Sequence, residues 1–350
     1  MNADLSTFAA RLDLYPARPL SEHKFNQLAL ELFALQFTHN PAYRKICEAR
    51  RLTPDVIEHW SQIPCVPTAA FKELELTSIP TEERTAVFHS SGTTEQKPSR
   101  HFHCAESTKV YEASLWKWFE SNVTGSKQFE LIILTPPSRL VPNSSLVHMF
   151  ETVRQKLGAS ESVFVGKLDN DGTWVLDFAV AIAALKKGTA PKLILGTAFS
   201  FVHLMDYLTG KDLRLQLPEG SRVMETGGYK NRSRTMPKAE LHSLIAEYLG
   251  IPGDDIICEY GMSELSSQAY DTKERSFHFP PWARVQIVSP ETGREVADGE
   301  TGLIRIFDLA NVFSVAAIQT EDLGIRRGKG FELIGRAALA EARGCSLMTA

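Results

Sequence analysis

Continuous apolar runs separated by helix-length segments dominate the middle of this chain, and they leave little choice of fold. Residues 131–134 (Leu-Ile-Ile-Leu), 162–165 (Ser-Val-Phe-Val) and 192–195 (Lys-Leu-Ile-Leu) each read as a strand, and 145–157, 174–187 and 199–207 each read as a helix. A strand that is apolar toward both faces needs cover on both, and helices between successive strands make them parallel. The pattern therefore predicts an α/β protein with a largely parallel, helix-covered sheet. Ligands in such sheets sit outside the carboxyl ends of the strands, which singles out the loops after Leu134, Leu195, Met224 and Cys258.

The flanks read differently. Residues 22–40 place Phe25, Leu28, Leu32, Phe33 and Leu35 on one helical face, and 41–50 and 53–63 read as two further short helices. They make a helical lead-in over 1–75 that closes with a linker at 64–67 and a short helix. Residues 102–104 read as a strand and 106–122 as an amphipathic helix whose aromatic stripe, Tyr111, Trp118 and Phe119, belongs to the core. Beyond a helix ending at Leu249, alternation at 284–288 and 302–307 around a turn at 291–293 predicts antiparallel hairpins, a small β subdomain over 283–325 within a main domain of 76–335. Residues 336–350 form a short tail.

Between these parts lies the stretch with the clearest chemistry. Ser90, Ser91, Thr93 and Thr94 offer four hydroxyls, Gly92 lets the backbone turn its amides toward an anion, and Lys97 and Arg100 add positive charge. This composition suits a polyphosphate, although the Walker spacing is absent and a plain surface loop is the competing reading. Two later segments add carboxylates beside glycines: Tyr260-Gly-Met-Ser-Glu264 at the end of an apolar run, and Thr320-Glu-Asp-Leu-Gly324. The segment 222–228 ends in Gly227 and Gly228, which fit either the close approach of a flat ring or an ordinary turn.

In this order the set resembles the adenylate-forming enzymes, the superfamily of acyl-CoA synthetases and luciferases. Within it, the Ser-Gly-Thr-Thr loop running into Pro98-Ser-Arg-His101 and the tail Glu341-Ala-Arg-Gly-Cys-Ser-Leu347 resemble the acyl-protein synthetases of bacterial bioluminescence operons, over most of the chain. The resemblance implies the large domain of that fold, with the C-terminal lid domain absent or vestigial, and the use of ATP and Mg²⁺. By it, Ser90 to Thr94 with Lys97 would cradle the pyrophosphate portion of ATP. Gly227 and Gly228 would lie along the adenine, Tyr260 would stack on it, and Gly261 would turn the chain toward Ser263, which meets the α-phosphate. Glu264 would carry Mg²⁺, Asp322 the ribose, and Arg336 would mark the hinge. Cys345, the sixth residue from the end and two after Arg343, would take the acyl group as a thioester and pass it to a reductase or carrier protein. His148 is either an acyl-pocket residue or a histidine packed on its helix. One departure stands out: Glu95 occupies the place of a glycine, and its charge beside a triphosphate is unfavourable unless it meets Mg²⁺ or points away.

Composition closes off other classes. With 43% hydrophobic and 23% charged residues the chain is an ordinary globular protein, and a formal net charge of −4 argues against a nucleic-acid binder with a broad basic surface. Five cysteines without a CxxC pair indicate neither a disulfide framework nor a zinc motif, and a reducing cytoplasm is the natural compartment. The apolar run 178–185 is far too short to span a membrane. The expected activity is thus ATP-dependent activation of a carboxylic acid, fatty by resemblance, with transfer to Cys345. Its rivals are an acyl- or aryl-CoA ligase and a degenerate nucleotide- or acyl-binding module.

Overall fold

The computed structural model describes every residue except 1, 15–18, 91–96, 159–161, 228–235, 272–275 and 338–350. The chain forms two compact units, one of residues 1–118, 262–269 and 274–350, the other of residues 119–261 and 270–273.

The second unit is the parallel sheet that the apolar runs predict. Its strands Ser162–Phe164, Glu130–Ile133, Lys192–Thr197, Arg222–Thr226 and Ile256–Tyr260 lie side by side in that order, every pair parallel. Numbered along the chain this is second, first, third, fourth, fifth, the doubly wound arrangement whose order reverses between the first and third strands. Helices Ser145–Leu157, Phe178–Lys186, Ala198–Gly210 and Lys238–Leu249 make the connections. Three of them start where a side chain takes up an orphan amide: Ser144 accepts from Val147 N–H, Asp177 from Val180 and Thr197 from Ser200. Ile132, Ile194, Val223 and Ile256 point to one sheet face and form a core with Phe201, Met205 and Ile245 of the helices.

Two expectations need correction. The helix placed over 174–187 begins only at Phe178, because the Asp177 cap fixes its start, while Trp174–Leu176 pairs antiparallel with Gly166–Leu168 as a hairpin. The helix placed over 53–63 shrinks to one 3₁₀ turn, Trp60–Gln62, set by a capping box in which His59 and Gln62 bond each other's backbone.

The first unit opens with helices Ala3–Arg11, Glu22–His39 and Pro41–Ala49. Strands Ala283–Val288, Thr301–Asp308, Ala317–Arg327 and Gly330–Arg336 form an antiparallel meander, and Val66–Pro67 adds in parallel to Ile318 and Gln319. Ala86–His89 and Arg100–His103 form a separate antiparallel hairpin, so the hydroxyl-rich stretch joins two paired strands.

Candidate active site

The geometry of the first unit centres on the segment that carries Ser263 and Glu264. Glu264 is only 4% exposed, yet its Oε2 accepts a hydrogen bond from Ser263 Oγ at 2.9 Å. Ser263 Oγ lies 3.3 Å from Ser99 Oγ, and the Ser99 amide donates to Ser90 Oγ at 3.0 Å. Ser90, bonded by the Ser99 amide, is thus tied through the Ser99 and Ser263 hydroxyls to the carboxylate.

This segment is clamped from several sides. His101 Nδ1 lies 2.8 Å from the Ser263 carbonyl oxygen, and burial pushes the His101 imidazole down to about 4, so near neutrality the ring is uncharged and its Nδ1–H donates. Asn311 Nδ2 donates to the Glu264 carbonyl at 2.8 Å while Asn311 Oδ1 accepts from Ser266 Oγ at 2.7 Å. Gln36 of the long N-terminal helix holds the Asn311 carbonyl at 2.8 Å. Asp308 accepts from the Ser266 amide and Ser267 Oγ, and burial raises its carboxyl to about 6 against those bonds. Trp282 Nε1 donates to Ser267 Oγ at 3.1 Å and to Ser114 Oγ at 2.9 Å. A network satisfied in this way holds a carboxylate in place without reorganisation.

Asp322 and Arg336 are brought together as direct partners on neighbouring strands, with Arg336 Nε 3.9 Å from Asp322 Oδ1. Arg336 is 65% exposed, so the pair is loose and contributes little to stability. Lys97 extends into solvent and meets Glu73 at 3.2 Å.

The second unit holds the remaining expected residues. Gly227 follows its strand with φ +76, and among the described residues nothing stands within 4 Å of where a Cβ would be. Tyr260 ends its strand 6% exposed. His148 is half-buried near the start of the helix Ser145–Leu157, its amide bonded to the Ser144 carbonyl. Ser91, Gly92, Thr93, Thr94, Glu95, Gly228 and Cys345 lie outside the described residues.

A family model described as "Acyl-protein synthetase, LuxE" matches residues 14–350. The chain belongs to the acyl-protein synthetase family. The "long-chain-fatty-acid–luciferin-component ligase" of Aliivibrio fischeri is 24% identical over 346 residues, 93% of this chain and 87% of that protein. The protein of the same name from Vibrio harveyi is 22% identical, over 92% of this chain and 86% of its own length. Among solved structures, an open conformation of 2-hydroxyisobutyryl-CoA ligase with 2-HIB-AMP and CoA superposes with a TM-score of 0.69 at 13% identity, covering 93% of this chain and 73% of that one. This likeness is one of fold: the synthetase has the large-domain architecture of adenylate-forming ligases.

Ser99, His101, Gln36 and Asn311 carried no assignment in the sequence. Ser99 and His101 sit inside the quoted Pro98–His101 run, the one signal available; Gln36 and Asn311 gave none, since Gln36 acts 275 positions away and Asn311 acts 47 positions away on Glu264.

Proposed function

We propose that this synthetase activates a long-chain fatty acid with ATP and transfers the acyl group through Cys345 to a partner protein in the cytoplasm. The carboxylate oxygen of the acid attacks the α-phosphorus and pyrophosphate leaves. The Cys345 thiolate then attacks the acyl carbon and AMP leaves with the bonding electrons. What supports this reading is the buried Ser263–Glu264 pair, held from three directions, with the hydroxyls of Ser90 and Ser99 joined to it. Relatives named as fatty-acid ligases supply the substrate class.

The donor set fits Mg²⁺, which takes one or two carboxylates and completes its shell with water and phosphate oxygens. Glu264 would hold it, with the Ser263 hydroxyl alongside. Bound there, the ion would neutralise charge on the triphosphate. The chain's own part is positioning: Ser90, with Ser91 to Thr94 and Lys97, meets the leaving pyrophosphate, and Asp322 accepts from ribose hydroxyls. For the adenine the family resemblance nominates Gly227, Gly228, Tyr260 and Gly261, and for the acyl chain His148.

The test is intact-protein mass spectrometry after incubation with Mg-ATP and a mixture of fatty and aromatic acids, beside Cys345→Ser. A fatty-acyl increment absent from the variant is expected. AMP formation that needs CoA and survives in the variant would overturn the transfer step in favour of a CoA ligase. Silence in both, with no pyrophosphate released, would leave a binding module.

A further inference from the structure

Away from those residues, the second unit holds a cluster that the acylation chemistry does not use. Glu225 and Cys258 are register partners on adjacent parallel strands, and His242 comes down on them from the helix Lys238–Leu249. Cys258 Sγ lies 2.8 Å from Glu225 Oε1 and 3.6 Å from His242 Nε2, and His242 Nε2 lies 3.5 Å from Glu225 Oε1. Val223 and Ile256, on the same side of these strands, belong to the apolar core, so a carboxylate here needs strong compensation. A thiol is a weak donor and supplies little of it.

We propose that Glu225, His242 and Cys258 form a binding site for a divalent transition metal ion of the Zn²⁺ type. Thiolate, imidazole and carboxylate are its three protein ligand types, and the set leaves a fourth position open. With ordinary Zn–S, Zn–N and Zn–O lengths, tetrahedral ligands stand about 3.5 Å apart for S and N, about 3.3 Å for N and O, and about 3.5 Å for S and O. Two of the three separations already match. The third is short because the thiol proton sits between sulfur and carboxylate; closing the site requires these atoms to part by roughly 0.7 Å as the proton leaves.

The charges agree with this assignment. Thiolate, carboxylate and a neutral imidazole around a divalent ion sum to zero, the state a buried site favours. Lys238 also faces Cys258, but Asp271 Oδ2 at 2.9 Å offsets its charge. His242 is partly exposed and gives the ion a way in.

The experiment is titration of the metal-free full-length protein with Co²⁺, read by the thiolate-to-cobalt charge-transfer absorption, followed by displacement with Zn²⁺ against a chromogenic chelator. One equivalent should bind with that band, and about one proton should be released per ion, so that affinity rises with pH. The band should vanish in Cys258→Ser and persist in Cys345→Ser. Since outer-shell changes alone weaken metal sites by about 10–100-fold, removing a ligand in His242→Gln should weaken binding at least as much. His242 is partly exposed, which keeps that variant informative should Cys258→Ser fold poorly. No charge-transfer band in the unaltered protein, a band that follows Cys345 rather than Cys258, or unchanged affinity in His242→Gln would each overturn the assignment.

Discussion

Replacing His101 by phenylalanine tests whether the clamp on Ser263 works as described. The ring of His101 is buried beside Phe71 and His103 and holds the Ser263 carbonyl at 2.8 Å. Phenylalanine keeps most of the volume and removes the donor, so at pH 7.5 the buried carbonyl is left unsatisfied at a cost of about 1–3 kcal/mol. Wild type carries the opposite burden in acid. Its imidazole pKa is about 4 folded against 6.5 for a free imidazole, so between those values the unfolded chain binds the extra proton and stability falls as pH drops. At pH 4.5 this linkage amounts to roughly 2.5 kcal/mol, a deficit that phenylalanine does not share. Urea unfolding of both proteins from pH 7.5 to 4.5 should therefore show the variant less stable at the top of the range and level with wild type, or ahead of it, at the bottom. Glu259 and Asp308, whose raised carboxyls act in the opposite direction with pH, are common to both proteins and cancel in the difference. A difference that stays constant with pH would refute the buried neutral imidazole.

Glu264→Gln keeps an acceptor for Ser263 but removes the charge, and ATP–pyrophosphate exchange should fall by about 10²–10³-fold with the melting temperature nearly unchanged; exchange within threefold of wild type would remove Glu264 from the chemistry. Asp322→Asn should change folding stability by less than about 1 kcal/mol, because its partner is exposed, while raising KM for ATP in steady-state kinetics. Glu130→Ala strands the ammonium of Lys192, which is fully buried and otherwise bonded to the Lys187 carbonyl, at a cost of about 3–5 kcal/mol in urea unfolding, and adding Lys192→Met should recover most of it. Gly166→Ala would put a Cβ 2.2 Å from the Thr135 carbonyl carbon, so the loop after the strand Glu130–Ile133 must move; a loss of about 3 kcal/mol, read from thermal unfolding, is expected.

The parallel sheet was legible because strands buried on two faces must be apolar throughout, a signal that survives without knowledge of their neighbours. Where local chemistry overrode periodicity the reading failed: Asp177 caps a helix that hydropathy would start at Trp174, and His59 with Gln62 reduces a helical pattern to one turn. The candidate acids were nameable for a similar reason, since a carboxylate a few residues from a glycine is a local feature, although Asp322 lies inside its strand Ala317–Arg327 rather than at its end. Their supports were not. Glu264 owes its setting to Asn311, and Asn311 to Gln36, a contact spanning 275 positions that no window along the chain can register. The same separation changes the meaning of the helix Glu22–His39. Its apolar stripe predicts packing and nothing more, yet Gln36 Nε2 donates to the Asn311 and Val312 carbonyls while its Oε1 accepts from the Ala316 amide. A single buried amide thus fixes the loop that fixes the carboxylate. The helical lead-in is therefore part of the site's rigidity, and a substitution at Gln36 would be expected to reach the chemistry without touching a substrate.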